Sequence, residues 1–473
     1  MDKVLIRNKN QKALKSGIWY TVSNFVVKSI GFITTPIFTR LLTKEEFGLY
    51  NNFISWLSII SIIVTLNLES TLISARYDYE DRFDEYIFST LSLSSISAII
   101  WLCIVNSFSS FFSNFLDLKL TYINAMLVYL FLLPAVNLFQ ARERYRFEYK
   151  KTVAISLLIA ISTAGLSVIL VLFLEDKITG RIIGSVLPTI LVGVLLYIFF
   201  VVKGKKIKIE YWKYALPICL PYIPHLLSLS LLNSMDRVMI TRWCGAEYTA
   251  IYSLAYTCGS MVTLLLTSMN NAYAPWLGEK LNSGCHNEIR DFSKIYIIGF
   301  LFLAIGIMIV APEVLMILGG DQYIDAKYVI TPIAMGCVCQ FLYTMFVNVE
   351  QFKKKTVGMA LASMTAALVN FVLNYIFIPK IGYLAAAYTT LAGYLCLLGI
   401  HMLLVKRLKL DDVYDYHFII MIVILGIGIT SFITLLYSKY FFRLLLFVIY
   451  IMVGYCLFRK YQKRIIKLMK RRD

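Results

Sequence analysis

The sequence is short of charge. Only 16% of its 473 residues are Asp, Glu, Lys or Arg, against 59% hydrophobic, and a soluble chain carries far more charge than that. An ordinary soluble enzyme is excluded. Acids are scarcer than bases, 28 against 46 Lys and Arg. Histidine is almost missing: His225, His286, His401 and His417 are scattered and form no metal-binding spacing. The nine cysteines lie mostly inside apolar runs, and the one close pair, Cys337 and Cys339, lacks the spacing of a redox or zinc motif. No metal site is expected. No glycine-rich phosphate loop is present, which argues against direct use of ATP. Long polar segments are also missing, so no soluble domain is expected. A membrane glycosyltransferase or polymerase uses a large outer loop to bind sugars, and nothing here can form one.

What is present is apolar sequence, with a mean hydropathy of +0.72. Runs long enough to cross about 30 Å of hydrocarbon as helices give fourteen spans, at 14–39, 49–70, 86–109, 121–140, 152–174, 182–202, 216–240, 250–277, 293–317, 329–350, 357–377, 384–405, 417–437 and 441–458. Segments of this length imply helices rather than a β-barrel. The predicted class is an all-α polytopic membrane protein. Residues 1–15 are polar and basic, and no cleavable signal is predicted.

With the N-terminus inside, roughly three-quarters of the Lys and Arg residues fall on inner segments, the bias expected of cytoplasmic loops. Both termini are then cytoplasmic. The net charge of +18 reads as topology and attraction to anionic membrane lipid, not as a nucleic-acid surface. The basic tail 459–473 reads as an interfacial helix or a disordered arm.

Two segments echo one another. Thr241, Arg242, Glu247 and Tyr252 stand 202 residues after Thr39, Arg40, Glu45 and Tyr50, each set in a loop between spans. Lys177-Ile178 before Gly180 has a weaker counterpart in Lys380-Ile381 before Gly382. This pattern predicts parallel repeats of six helices: an N-terminal lobe 1–202, a C-terminal lobe 203–405, and two additional helices with the tail, 406–473. In transporters built this way the substrate path lies between the lobes.

Several spans carry a polar face. The first has Gly17, Thr21, Asn24, Lys28, Gly31 and Thr35 at helical spacing. Close helix packing explains Gly, Thr and Asn at such positions. It explains a mid-span lysine poorly, so Lys28 is expected to face a hydrated cavity. The second span has Asn51, Ser55, Ser58, Thr65 and Glu69, with Glu69 near the inner edge. The eighth has Tyr252, Tyr256, Gly259, Thr263, Thr267 and Asn270, and the tenth Gln340, Thr344, Asn348 and Gln351. Hydroxyls, amides and tyrosine rings suit a path for sugars, with Asn24, Asn51, Tyr252, Tyr256, Asn270 and Asn348 as the candidate lining.

The seventh span opens on Pro217, Pro221 and Pro224, which predicts a bent helix and a candidate gate. It ends with Asp236 and Arg237, whose side chains leave the helix about 100° apart, so each needs a partner elsewhere. An inter-helix ion pair is the structural alternative. Glu69 and Asp236 are the span carboxylates available for coupling to H+ or Na+. The acidic stretch from Arg76 to Arg82 matches no metal motif and reads as a solvated loop.

The order of certain motifs along the chain resembles bacterial oligosaccharide flippases of the O-antigen and capsule type, the polysaccharide transporter branch of the multidrug/oligosaccharidyl-lipid/polysaccharide exporter superfamily. They are Ser16-Gly17, then Thr39 through Tyr50, Ser74 through Tyr77, Leu216-Pro217 with Asp236-Arg237, Ile251 through Tyr256, Ala274-Pro275-Trp276 and Ala311-Pro312-Glu313. The likeness implies a two-lobe fold shared with MATE exporters and lipid II flippases. It also implies a substrate, an undecaprenyl-diphosphate-linked oligosaccharide carried to the outer leaflet of the bacterial cytoplasmic membrane for surface polysaccharide such as lipopolysaccharide or capsule. By that likeness Lys28 first, then Arg237 and Arg76, would hold the diphosphate. The implied partners are this lipid-linked sugar, membrane lipids and glycan polymerase or assembly proteins, with a monomer favoured. No cofactor beyond a coupling H+ or Na+ is implied, and no enzyme activity. The alternatives are a MATE-type exporter of small cations, a membrane glycan polymerase, and a non-transporting assembly scaffold. A cation exporter should carry a mid-membrane carboxylate where this chain has Lys28.

Overall fold

The computed structural model describes the backbone of residues 2–146, 148–410 and 412–470, and side chains from Trp19 to Leu457 except 147, 264, 272, 356 and 411, with Arg459 in addition. Helices connected by turns account for the described residues, with no strand among them. They divide into two compact units, Met1–Ala250 and Ile251–Asp473.

The first unit contains α1 (Asp2–Leu41), α2 (Lys44–Thr65), α3 (Leu72–Asp78), α4 (Phe83–Ser107), α5 (Ser109–Leu116), α6 (Leu120–Tyr145), α7 (Tyr149–Phe173), α8 (Lys177–Gly204), α9 (Ile209–Cys219) and α10 (Ile223–Cys244). A helix α11 (Ala246–Gly259) crosses the boundary. The second unit continues with α12 (Met261–Asn282), α13 (His286–Ile309), α14 (Ala311–Gly319), α15 (Lys327–Phe352), α16 (Thr356–Ile381), α17 (Tyr383–Arg407), α18 (Tyr416–Leu436) and α19 (Tyr440–Lys470). Thirteen helical segments among the described residues are long and apolar enough to cross a membrane, and they correspond to the second through fourteenth expected spans. The first expected span lies within α1. The tail continues α19 as helix as far as Lys470.

Local chemistry sets the turns. Thr43 and Glu46 form a reciprocal cap at the start of α2: the Thr43 amide donates to Glu46 Oε2 at 2.8 Å, and the Glu46 amide to Thr43 Oγ1 at 3.2 Å. The corresponding turn between α10 and α11 uses Gly245 at φ +104°, a conformation that disfavours any side chain. Gly48 of α2 lies against the main chain at Ala246; a Cβ built on it would stand 1.7 Å from the Ala246 carbonyl oxygen.

In the first unit α7 packs on α8 and α1, α6 on α8 and α4, and α10 lies along α2. Its apolar core runs through Phe53, Trp56, Met126, Leu130 and Val238. A second cluster, with Leu72, Tyr86, Phe139 and Tyr211, ties α9 to α4 and the turn before α3. In the second unit α15 is the central element, packed on α17, α12, α13 and α18, while α16 covers α17.

Candidate functional site

α1 is divided lengthwise. Its seam against α7 runs through Ser23, Val27, Ile30 and Thr34 towards the buried Phe38. One residue further round, on one flank, stand Thr21, Asn24, Lys28 and Gly31, all exposed, and Thr35, half-buried. Around Gly31 the space is open: a Cβ there would meet nothing within 4 Å. One residue back, on the other flank, stand Val22, Val26, Ile33 and Ile37, also exposed. The apolar flank suits hydrocarbon and the polar flank suits water. Gly17, the first residue of the polar stripe, lies outside the residues whose side chains are described.

Lys28 stands in the middle of the polar flank. No carboxylate among the described residues comes within ion-pair distance of it. Further along α1, Thr35 of the flank and Thr34 of the seam donate to the Gly31 carbonyl at 2.9 and 3.0 Å.

A second cation of this unit was invisible in the sequence. Arg181 precedes the expected sixth span, and its number along the chain suggests a loop. The structure starts α8 five residues before the expected span, at Lys177, because the Asp176 carboxylate caps the helix. It accepts from the Thr179 amide at 3.3 Å and from its hydroxyl at 2.7 Å. The Thr179 hydroxyl bond, with the amide bond behind it, holds the Asp176 carboxyl below its usual range. Arg181 is thereby turned inward. Its guanidinium lies 3.6 Å from the ring centre of Phe38 and 4.1 Å from that of Tyr50, and its Nε has no hydrogen-bond partner among the described residues. Such stacking stabilises a guanidinium without neutralising it.

The polar residues of α2 are spent on packing. Asn51 is half-buried and donates to the Phe47 carbonyl at 2.7 Å; Ser58 meets Ser230 of α10 at 3.1 Å; Ser55 and Thr65 are buried. The second span is also shorter than expected. Leu66 and Asn67 adopt φ of +57° and +48° and end the helix at Thr65. Glu69 therefore sits in a single 3-10 turn, Leu68–Thr71, where its Oε1 accepts from Asn137 Nδ2 at 3.1 Å. Arg76, on α3, is half-buried, with its guanidinium 5.3 Å from the Tyr77 ring centre. The acidic stretch after it is ordered as helix and 3-10 turn rather than as loop.

The seventh span is interrupted where its prolines predict. Pro217 lies within α9, Pro221 in a 3-10 turn over Leu220–Tyr222, and Pro224 at the start of α10. Further along α10, Asp236 is wholly buried, and its Oδ1 accepts from the Arg237 amide at 2.8 Å. The Arg237 guanidinium stands 3.9 Å from that oxygen, too far for a hydrogen bond, and donates instead to the Asn233 carbonyl at 2.9 Å.

In the second unit Tyr252 is wholly buried, 6.2 Å ring to ring from the half-buried Tyr256. Asn348 of α15 donates to Asn270 of α12 at 2.8 Å, and both are half-buried. Of the expected sugar-path residues, then, Asn24 is open, Tyr252 is enclosed, and the others are partly covered. No cluster of His, Cys, Asp or Glu among the described residues could hold a metal ion.

Matches to known proteins place the chain among the multi-span membrane transporters of the multidrug/oligosaccharidyl-lipid/polysaccharide exporter superfamily. Two solved structures share the fold. The lipid II flippase MurJ in an inward closed conformation superposes with a TM-score of 0.68 over 91% of this chain and 100% of that one, at 14% identity. An inward-facing multidrug resistance MATE family transporter gives 0.60 over 83% and 98%, also at 14% identity. Within that class the chain belongs to the polysaccharide biosynthesis protein family, whose profile matches residues 13–280; the MatE profile matches residues 221–376. An Lsg-locus protein of Haemophilus influenzae is 22% identical over 358 residues, covering 71% of this chain and 84% of that protein.

Proposed function

We propose that the protein is a flippase that moves undecaprenyl-diphosphate-linked oligosaccharide units from the inner to the outer leaflet of the bacterial cytoplasmic membrane, for surface polysaccharide synthesis. The observation that carries this reading is Lys28, an exposed ammonium on the polar flank of α1 with no carboxylate among the described residues within ion-pair distance. A lysine at the centre of a bilayer costs about 2.5–3.5 kcal/mol or more, and water or an anionic ligand removes that cost. A diphosphate is such a ligand. Arg237 and Arg76 are secondary candidates for it, and Asn24, Asn51, Tyr252, Tyr256, Asn270 and Asn348 for the sugars. The lobes 1–202 and 203–405 alternate access, with the broken seventh span as the gate and both termini in the cytoplasm. The prenyl chain stays in lipid throughout. The chain has no enzymatic role in this reading and works as a monomer, with glycan polymerase or assembly proteins downstream.

The match of residues 221–376 to the MatE profile favours a second reading, an ion-coupled exporter of small molecules. Sidedness separates the two. In cells depleted of the protein, the flippase reading expects prenyl-diphosphate oligosaccharide to build up on the cytoplasmic leaflet, relieved by wild type and not by Lys28→Ala. Build-up on the outer leaflet would move the function to polymerisation or scaffolding. No build-up would leave the exporter.

A further inference from the structure

Two ionisable side chains inside the second unit take no part in this reading. Glu350 lies in the last turn of α15 and His401 near the end of α17. Both are buried, at 1% and 2% exposure. His401 Nδ1 and Glu350 Oε1 are 2.7 Å apart, so one proton lies between them. The Tyr343 ring stacks on the imidazole, with centres 5.6 Å apart and planes within 15°. The second carboxylate oxygen, Glu350 Oε2, is buried, and nothing among the described residues donates to it.

A neutral imidazole donating to a carboxylate leaves the pair at −1, with that charge in a dry place and half of the carboxylate unsatisfied. Burying such a charge uncompensated is costly. One added proton makes the pair neutral. It forms a bond at Oε2, or at the second imidazole nitrogen to give an imidazolium against the carboxylate. No bond to a heavy atom breaks, and the proton comes from bulk water.

Among the described residues no further ion pair to either side chain is formed. α16 carries no titratable side chain before Tyr375. On the α18 side, Tyr414 donates to the Met345 carbonyl and meets Tyr273 of α12, while Tyr416 donates to the Met402 carbonyl. At the ends of α12 and α13, Lys280 is held by Glu288, His286 by Asp412 and Lys294 by Asp415. Glu313, Asp321 and Asp325 belong to the opposite end of α15. The nearby surface, where α15 and α17 end, carries Lys353, Lys354, Lys355, Lys406 and Arg407, all exposed; none is within ion-pair distance of Glu350.

We propose that Glu350 and His401 form a proton-binding site of the second unit, filled from the side on which α15 and α17 end, and that transport is coupled to its filling. The first clause stands on the pair alone; the second rests on the flippase reading. Loading changes a buried polar tie between α15 and α17, the central helix and its main partner, so these two helices register the proton.

The test uses the full chain in lipid, as wild type, Glu350→Gln and His401→Gln. Gln is isosteric with Glu and still bonds to the imidazole, which protects the fold; the second variant keeps the carboxyl if the first does not fold. Infrared difference spectra taken between acid and alkaline pH without substrate should show a carboxyl–imidazole signal in wild type. That signal should vanish in Glu350→Gln and move along the pH axis in His401→Gln. Spectra identical in wild type and Glu350→Gln would overturn the site. In proteoliposomes, flipping of a fluorescent prenyl-diphosphate disaccharide should change several-fold with a tenfold proton gradient in wild type and not at all in Glu350→Gln. A variant that responds like wild type would overturn the coupling. Should wild type move no lipid while the pair still titrates, the flippase reading fails and the proton site stands.

Discussion

Replacing Lys28 with Ala removes one charge and almost no packing. The side chain is exposed and has no carboxylate to leave behind, so the change in folding stability should fall within about 0.5 kcal/mol. Its effect on the substrate should be much larger. A hydrogen bond to a charged group contributes about 1.5–3 kcal/mol, which at 1.4 kcal/mol per decade is a loss of about 10- to 150-fold in flipping at low substrate. Lys28→Arg keeps the charge on a similar stem and should stay within a few-fold of wild type. The assay is reduction of a fluorescent prenyl-diphosphate sugar by a membrane-impermeant reductant outside proteoliposomes, with substrate varied, so that binding and turnover separate. An Ala variant that flips within twofold of wild type at low substrate would refute the phosphate role. A variant that melts several degrees lower would refute the account of an unpacked flank.

Three further substitutions address the scaffold. Gly48→Ala drives a methyl into the Ala246 carbonyl, which no rotamer change relieves; a cost of about 1–3 kcal/mol should appear as a lower melting temperature in detergent, and an unchanged one would contradict the close approach of α2. Arg142→Ala strips Asp84 of bonds at 2.6 and 2.9 Å and also removes a partner of the buried Glu143. The expected loss is about 3–5 kcal/mol, partly offset because Lys151 still reaches Glu143 at 3.2 Å. Asp176→Ala removes the cap of α8, with a cost of about 0.5–2 kcal/mol. Because the carboxyl is held below its usual range in the fold, the cap stabilises fully above the unfolded value near 4 and is lost as pH falls through the folded one. Wild type and variant should therefore converge in melting temperature at acid pH, and a constant difference would count against the cap.

The membrane class, the second through fourteenth spans and the polar flank of α1 were determined by the sequence alone. The reason is that each is a one-dimensional property. Crossing hydrocarbon needs a sum of apolar residues over a fixed length, and a helix face follows from a fixed angle per residue. The proline break in the seventh span is equally local, because a missing amide acts on its own turn. Tertiary structure decided the partners. The Asn51 amide spends itself on its own helix, and Tyr252 is enclosed, although both sit on polar faces that look open in projection. Leu66 and Asn67 turn the chain early and move Glu69 out of its helix, through dihedrals that neither residue type announces. Arg181 falls in a loop by number, yet lies between Phe38 and Tyr50 because those rings arrive from α1 and α2. Glu350 and His401 are 51 residues apart, and each alone looks like the polar edge of a span. An ionisable group's environment is a sum over neighbours in space, so their shared burial exists only once α15 and α17 have packed together.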